Sequence, residues 1–80
     1  MTYKYIHFVE TEQKPKTSVW SCRNNGSSNQ LGTVAWHGLW RRYCFFPEPI
    51  TVFSADCMRD IVDFVEGKNA EHKGQKAHKD

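Results

Sequence analysis

Only one segment of this chain, Ser54 to Gly67, spaces its apolar residues as a helix does, and nearly everything before it reads as strand. Met58, Ile61, Val62 and Val65 follow the i, i+3, i+4, i+7 pattern, and Cys57 and Phe64 widen the stripe. Ser54 is placed to cap the first-turn amides, and Asp56 lies where the helix dipole favours negative charge. Phe53 and Met58 have the spacing of a hydrophobic staple, and Gly67 fits the left-handed position just past a helix end. About three turns of helix are not stable alone in water. The helix must therefore lie on a sheet, with Asp56, Arg59, Asp60, Asp63 and Glu66 turned outward.

The sheet is written in the first 53 residues. Tyr3 to Val9 is rich in aromatic and β-branched residues, and Thr17 to Arg23 is a second strand segment. Asn24 to Asn29 is the clearest turn, with Asn25-Gly26 suited to the positive φ of a tight hairpin. Leu31 to His37 forms a third strand and Gly38 a reversal. Trp40 to Phe46 forms a fourth strand, stopped by Pro47-Glu48-Pro49. Alternation puts Trp40, Arg42, Cys44 and Phe46 on one face of that strand and Arg41, Tyr43 and Phe45 on the other. Strand four is thus apolar on both faces, whereas one helix covers only one. Either the N-terminal segment folds over the second face, or aromatic surface remains for a partner.

The expected architecture is α+β: an antiparallel sheet of three or four strands with one C-terminal amphipathic helix packed on one face. At 80 residues the chain holds one small domain, expected over residues 1–67. Residues 68–80 contain no apolar side chain larger than alanine and read as a disordered, Lys/His-rich tail. No apolar run approaches the roughly 20 residues that cross a bilayer. The N-terminal ten residues lack the apolar centre of a secretion signal, so a cytoplasmic protein is expected.

Charge is segregated more than the net value of +2 suggests. Residues 1–53 carry six basic and three acidic groups, residues 54–67 one against four, and residues 68–80 four against two.

The pattern W-R-x-Y-x-F-x-P at Trp40 to Pro47, with Lys16-Thr17, Trp20, Leu31-Gly32 and Trp36 before it, resembles a family of small uncharacterised bacterial and phage proteins. The likeness continues through Thr51-Val52-Phe53 and Cys57 to Phe64. It implies one compact domain in a phage or mobile-element setting, and no mechanism.

Chemistry is sparsely signalled. The three cysteines, Cys22, Cys44 and Cys57, lack the paired spacing of a zinc site; Cys44 and Cys57 could still approach each other where the helix lies on strand four, but they read as buried, packed thiols. His37 near Cys44 is a weak nucleophile–base pair, so neither enzymatic activity nor a metal or cofactor is expected. Trp36, Trp40, Arg41, Arg42 and Tyr43 are the residue types that dominate protein interfaces and make up the expected partner-binding set. The expected function is binding of a host or phage protein, with inhibition of a host defence or regulatory protein as its purpose. The alternative is a module that binds single-stranded nucleic acid or a nucleotide through the same aromatic and arginine residues.

Overall fold

The structure, a computed structural model, describes residues 2–79, with side chains as far as Gly74. Four strands form one antiparallel sheet in sequence order: β1 (Ile6–Gln13), β2 (Ser18–Asn24), β3 (Gln30–His37) and β4 (Arg42–Pro47). A single helix, α1 (Ala55–Lys79), lies across one face. The N-terminal segment supplies an edge strand of the sheet and leaves the second face uncovered by any described element.

The register explains which residues are buried. Phe8 pairs with Cys22 and Cys22 with Gly32, while Trp20 pairs with Val34 and Val34 with Phe45. These residues share one side of the pleat, together with Ile6, Trp36 and Tyr43. Ile6, Phe8, Cys22, Val34 and Tyr43 are buried there beneath Ile61 and Phe64 of the helix. The contact is largely aromatic. Phe8 stacks flat on Phe64, Trp20 meets Phe64 and Tyr43 edge-on at 5.5 Å each, and Phe45 meets Phe53 at 5.6 Å. Gly32 has no room for a side chain, because a Cβ there would lie 2.8 Å from the Phe46 carbonyl oxygen.

The helix begins as its sequence implies. The Ser54 hydroxyl accepts the Cys57 amide at 3.2 Å, and the Ser54 carbonyl accepts the Met58 amide at 3.0 Å. Its buried stripe is rotated from the expected one: Cys57, Ile61, Phe64 and Val65 meet the core, while Met58 and Val62 remain half exposed.

The helix does not end at Gly67: the expected 1–67 boundary falls inside α1, and the residues from Lys68 to His72, expected in a free tail, belong to the packed helix. Glycine inside a helix costs about 1 kcal/mol relative to alanine, and contacts of the next two turns offset it. The Lys68 ammonium lies 4.8 Å over the Trp20 ring and 5.2 Å from that of Phe64. The His72 ring packs 4.4 Å from Trp36, and Asn69 bonds to the backbone of β4. Asp80 and the side chains of residues 75–79 lie outside the described residues.

Two turns differ from expectation. In the β2–β3 loop the positive φ falls on Ser28, at 63°, and not on Asn25 or Gly26. The Asn24 side chain closes the loop by accepting the amides of Gly26 and Ser27. In the β3–β4 turn the positive φ falls on Arg41, at 55°, and the Arg41 amide bonds to the His37 carbonyl at 2.8 Å. Trp40 and Arg41 therefore belong to the turn, and β4 starts at Arg42, two residues later than expected. No described helix is long and apolar enough to cross a membrane.

Candidate functional site

The face of the sheet opposite the helix has two halves. Around β2 it is a polar network. Ser21, buried beneath its neighbours, donates to Gln30 Oε1 at 3.0 Å and accepts from Arg23 Nε at 3.0 Å. Gln30 Nε2 in turn donates to Thr33 Oγ1 and to Glu48 Oε2. Two long side chains thus cover a hydroxyl that an unroofed sheet would expose, and among the described residues no buried side-chain polar atom lacks a partner.

The other half, at the β3–β4 end, is aromatic and cationic. His37 closes β3 opposite Arg42, the first residue of β4. The Trp40 ring stacks on the His37 ring at 4.8 Å and 19°, and the Phe46 ring lies parallel to His37 at 6.1 Å. The Trp40 amide donates to His37 Nδ1 at 3.4 Å, and Arg42 Nε donates to the Trp40 carbonyl at 3.3 Å. The turn geometry folds Trp40 back over the strand end, yet its ring stays 65% exposed. Arg42 and Phe46 are also exposed.

The five expected binding residues do not share one surface. Trp36 and Tyr43 face the helix, 5.3 Å apart edge to face, and Tyr43 is buried with its hydroxyl accepting the Ser18 amide. They position the sheet beneath α1. Trp40 and Arg42 lie at the uncovered face, and Arg41 is exposed in the turn between them. Phe46, which is exposed, and His37, half-buried against the Trp40 ring, complete this set and lie outside the five. Their signal was present in the alternation of strand four and in the antiparallel register, which brings His37 opposite Arg42.

The cysteines do not converge. Cys22 is fully buried under the helix, and burial, with Cys57 nearby, pushes its thiol up to about 11. Cys44 sits on the uncovered face, opposite Ala35 in register, with its thiol 3.9 Å from the Arg42 carbonyl. Cys57 is on the helix stripe, so Cys44 and Cys57 are on opposite sides of the sheet and do not approach each other. Cys44 and Cys57 are only half buried. Among the described residues no group of three or more His, Cys, Asp or Glu side chains is arranged to hold a metal ion.

A groove of about 320 Å³ opens at the far end, between the β1–β2 turn and α1, with Trp20, Lys16, Lys68, Glu10, Glu71 and His72 among its walls. Its charges are mixed. Lys68 is already engaged by Glu71 at 3.4 Å and by the Trp20 ring. The groove therefore selects neither an anion nor a cation, and the His37–Trp40–Arg42 corner is the better-defined surface.

No family model, no curated protein sequence and no solved structure matches the chain.

Proposed function

We propose that this protein is a small binding module that seats another protein on the uncovered sheet face. The supporting observation is the His37–Trp40–Phe46 ring set beside Arg42, held by the β3–β4 turn and left open by a fold that has only one helix to cover two faces. Tryptophan and arginine are the side chains most often dominant in binding energy, because one buries a large rigid area and the other makes several directed hydrogen bonds. The ordering cost at this corner is small, since the turn has already fixed Trp40 and Arg42. Neither catalysis nor a cofactor is part of this reading. The resemblance of the W-R-x-Y-x-F-x-P segment to bacterial and phage proteins supplies the setting: a cytoplasmic accessory protein of a phage or mobile element that restrains a host defence or regulatory protein by binding it.

A second reading has its own support. Stacked, partly exposed rings flanked by Arg42 and Arg41 also suit the bases and phosphates of single-stranded nucleic acid. Capture from host lysate with the full chain, followed by nuclease and mass spectrometry, separates the two. A stoichiometric protein that survives nuclease and is lost with Trp40→Ala or Arg42→Ala supports the first reading. Recovery of nucleic acid alone, with binding that falls steeply as salt rises, supports the second. Capture unchanged in both variants removes the corner from either.

A further inference from the structure

Two register rows cross the uncovered face from one edge strand to the other. In the first, Val9 of β1 pairs with Ser21, Ser21 with Thr33, and Thr33 with Phe46 of β4. The row reads apolar, hydroxyl, hydroxyl, apolar, and its two ends are 40% and 41% exposed. In the second, His7 pairs with Arg23 and Arg23 with Gln30, whose amide bonds to Glu48 just past β4. Toward the other end of the sheet the charges change places. Glu12 pairs with Val19, the neighbour of helix-facing Trp20, and so stands on the uncovered side of β1, while Arg42 stands there on β4. Cations and carboxylates thus occupy diagonal corners of one face.

That pattern is complementary to itself. A two-fold axis running along the strands lays β1 of one copy over β4 of the other. Phe46 then meets Val9 of the second copy at both edges, and Thr33 meets Ser21. Glu48 comes over His7 and Arg23, and Arg42 comes toward Glu12. A two-fold axis across the strands would set Val9 on Glu12 instead. A nucleic acid or an anionic lipid surface would meet a carboxylate at two of the corners.

We propose that a second copy of this chain packs on the uncovered face, sheet against sheet with the strands aligned, through Phe46–Val9 contacts at both edges. Four strands about 4.8 Å apart, crossed by rows about 7 Å apart, make a face of roughly 400 Å², about half of what each side of a standard interface buries. The dimer is accordingly weak, and the face stays open to a protein that binds more tightly. The second copy is an occupant beyond the partner proposed for the His37–Trp40–Arg42 corner.

The test uses the full chain. Sedimentation equilibrium and NMR dilution between roughly 20 μM and 2 mM should show a monomer–dimer equilibrium. The edge strands β1 and β4 lie about 14 Å apart across the sheet, too far for an NOE between Val9 and Phe46 of one copy. A mixture of isotope-labelled and unlabelled chain should therefore give a Val9 methyl to Phe46 ring NOE that crosses copies. Val9→Ser acts twice in a symmetric dimer and should weaken self-association about tenfold. Glu12→Arg and Arg42→Glu should each weaken it, and the double variant should restore it. The NOE needs no variant, so it decides even where a substitution unsettles the fold. A chain that stays monomeric throughout that range overturns the proposal. So does self-association without the NOE, or self-association that a folded Val9→Ser leaves untouched. A monomer that still captures a host protein through Trp40 removes the second copy and keeps the corner, and a monomer that binds an oligonucleotide on this face assigns the face to nucleic acid.

Discussion

Asn69 grips the backbone of Tyr43 as a neighbouring strand would. The Tyr43 amide donates to Asn69 Oδ1 at 2.7 Å, and Asn69 Nδ2 donates to the Tyr43 carbonyl at 3.3 Å. An edge strand presents unpaired amides and carbonyls that invite pairing with another chain. Here one side-chain amide occupies the outward pair at Tyr43, and Pro47, having no N–H, ends the edge. The opposite edge is interrupted by the Thr2–His7 bridge at one end and by the irregularity between Glu10 and Glu12 at the other. With both edges blunted, the proposed partner is expected on the uncovered face and not at a sheet edge.

Replacing Asn69 by alanine should therefore destabilise the fold by about 1–3 kcal/mol, because two part-buried backbone groups lose their partner. Asn69→Asp should recover little of it, since a carboxylate accepts from the Tyr43 amide but cannot donate to the carbonyl. Urea unfolding of the three proteins decides this. Equal stabilities would mean that the clamp is not formed in solution.

The helix face gives a sharper contrast within two adjacent residues. Ile61 is buried on Phe64's side of the helix and Val62 is half exposed. Ile61→Asp should leave the chain unfolded, because an unpaired buried carboxylate costs more than a small domain has to lose. Val62→Asp should fold and melt close to the native chain. Similar melts for both would place the buried stripe where the sequence periodicity put it, through Met58 and Val62.

That displacement of the stripe shows what was legible in the residues and what was not. The strand alternation, the antiparallel sheet and the Ser54 cap follow from local chemistry, and the structure has them. The extent of the helix does not. Lys68 and His72 pack by laying an ammonium over Trp20 and an imidazole on Trp36, and no apolar pattern marks such contacts. Gly67 therefore reads as a stop where the chain continues. At the proposed binding corner, strand four is apolar on both faces, so nothing local says which face the helix takes. Tyr43 and Trp36 went beneath it. Trp40 reads as strand because the positive φ that ends the turn falls on Arg41, a residue type that seldom adopts it.

Two neutral acids on the helix-covered side make stability fall at alkaline pH. Burial, together with Cys57, raises the Cys22 thiol from 9.0 to about 11. Burial, the hydrogen bond to Asp63 and the charges of Asp63 and Asp60 hold the Tyr3 phenol well above its ordinary 10.0. Both groups keep their proton more tightly folded than unfolded. Their stabilisation is whole below the unfolded values and is lost as pH rises through the folded ones. Thermal melts should be flat up to pH 9.0 and drop from there toward about 11 as the thiol titrates, with the phenol adding its share above 10.0. Tyr3→Phe should flatten the part of the decline above 10.0 only. In the native protein a thiol reagent should modify half-buried Cys44 and Cys57 well before Cys22. An unaltered slope in Tyr3→Phe would show that the phenol is not held by Asp63.

Gly67 offers a test in which the sign alone decides. As the left-handed cap suggested by the sequence, it could not accept a Cβ without strain, and Gly67→Ala would destabilise the protein by about 1 kcal/mol. Inside α1 its φ is negative and a Cβ there would meet nothing within 4 Å. Alanine then restricts the unfolded chain more than glycine does and stabilises the helix by about 0.5–1 kcal/mol. Gly67→Ala should accordingly raise the melting temperature. It should also protect the backbone amides of Lys68 to His72 from hydrogen exchange, because those residues are held in place only while the helix runs through residue 67. A lower melting temperature would end α1 at Gly67, release Asn69 from Tyr43, and reopen the β4 edge as a site of pairing.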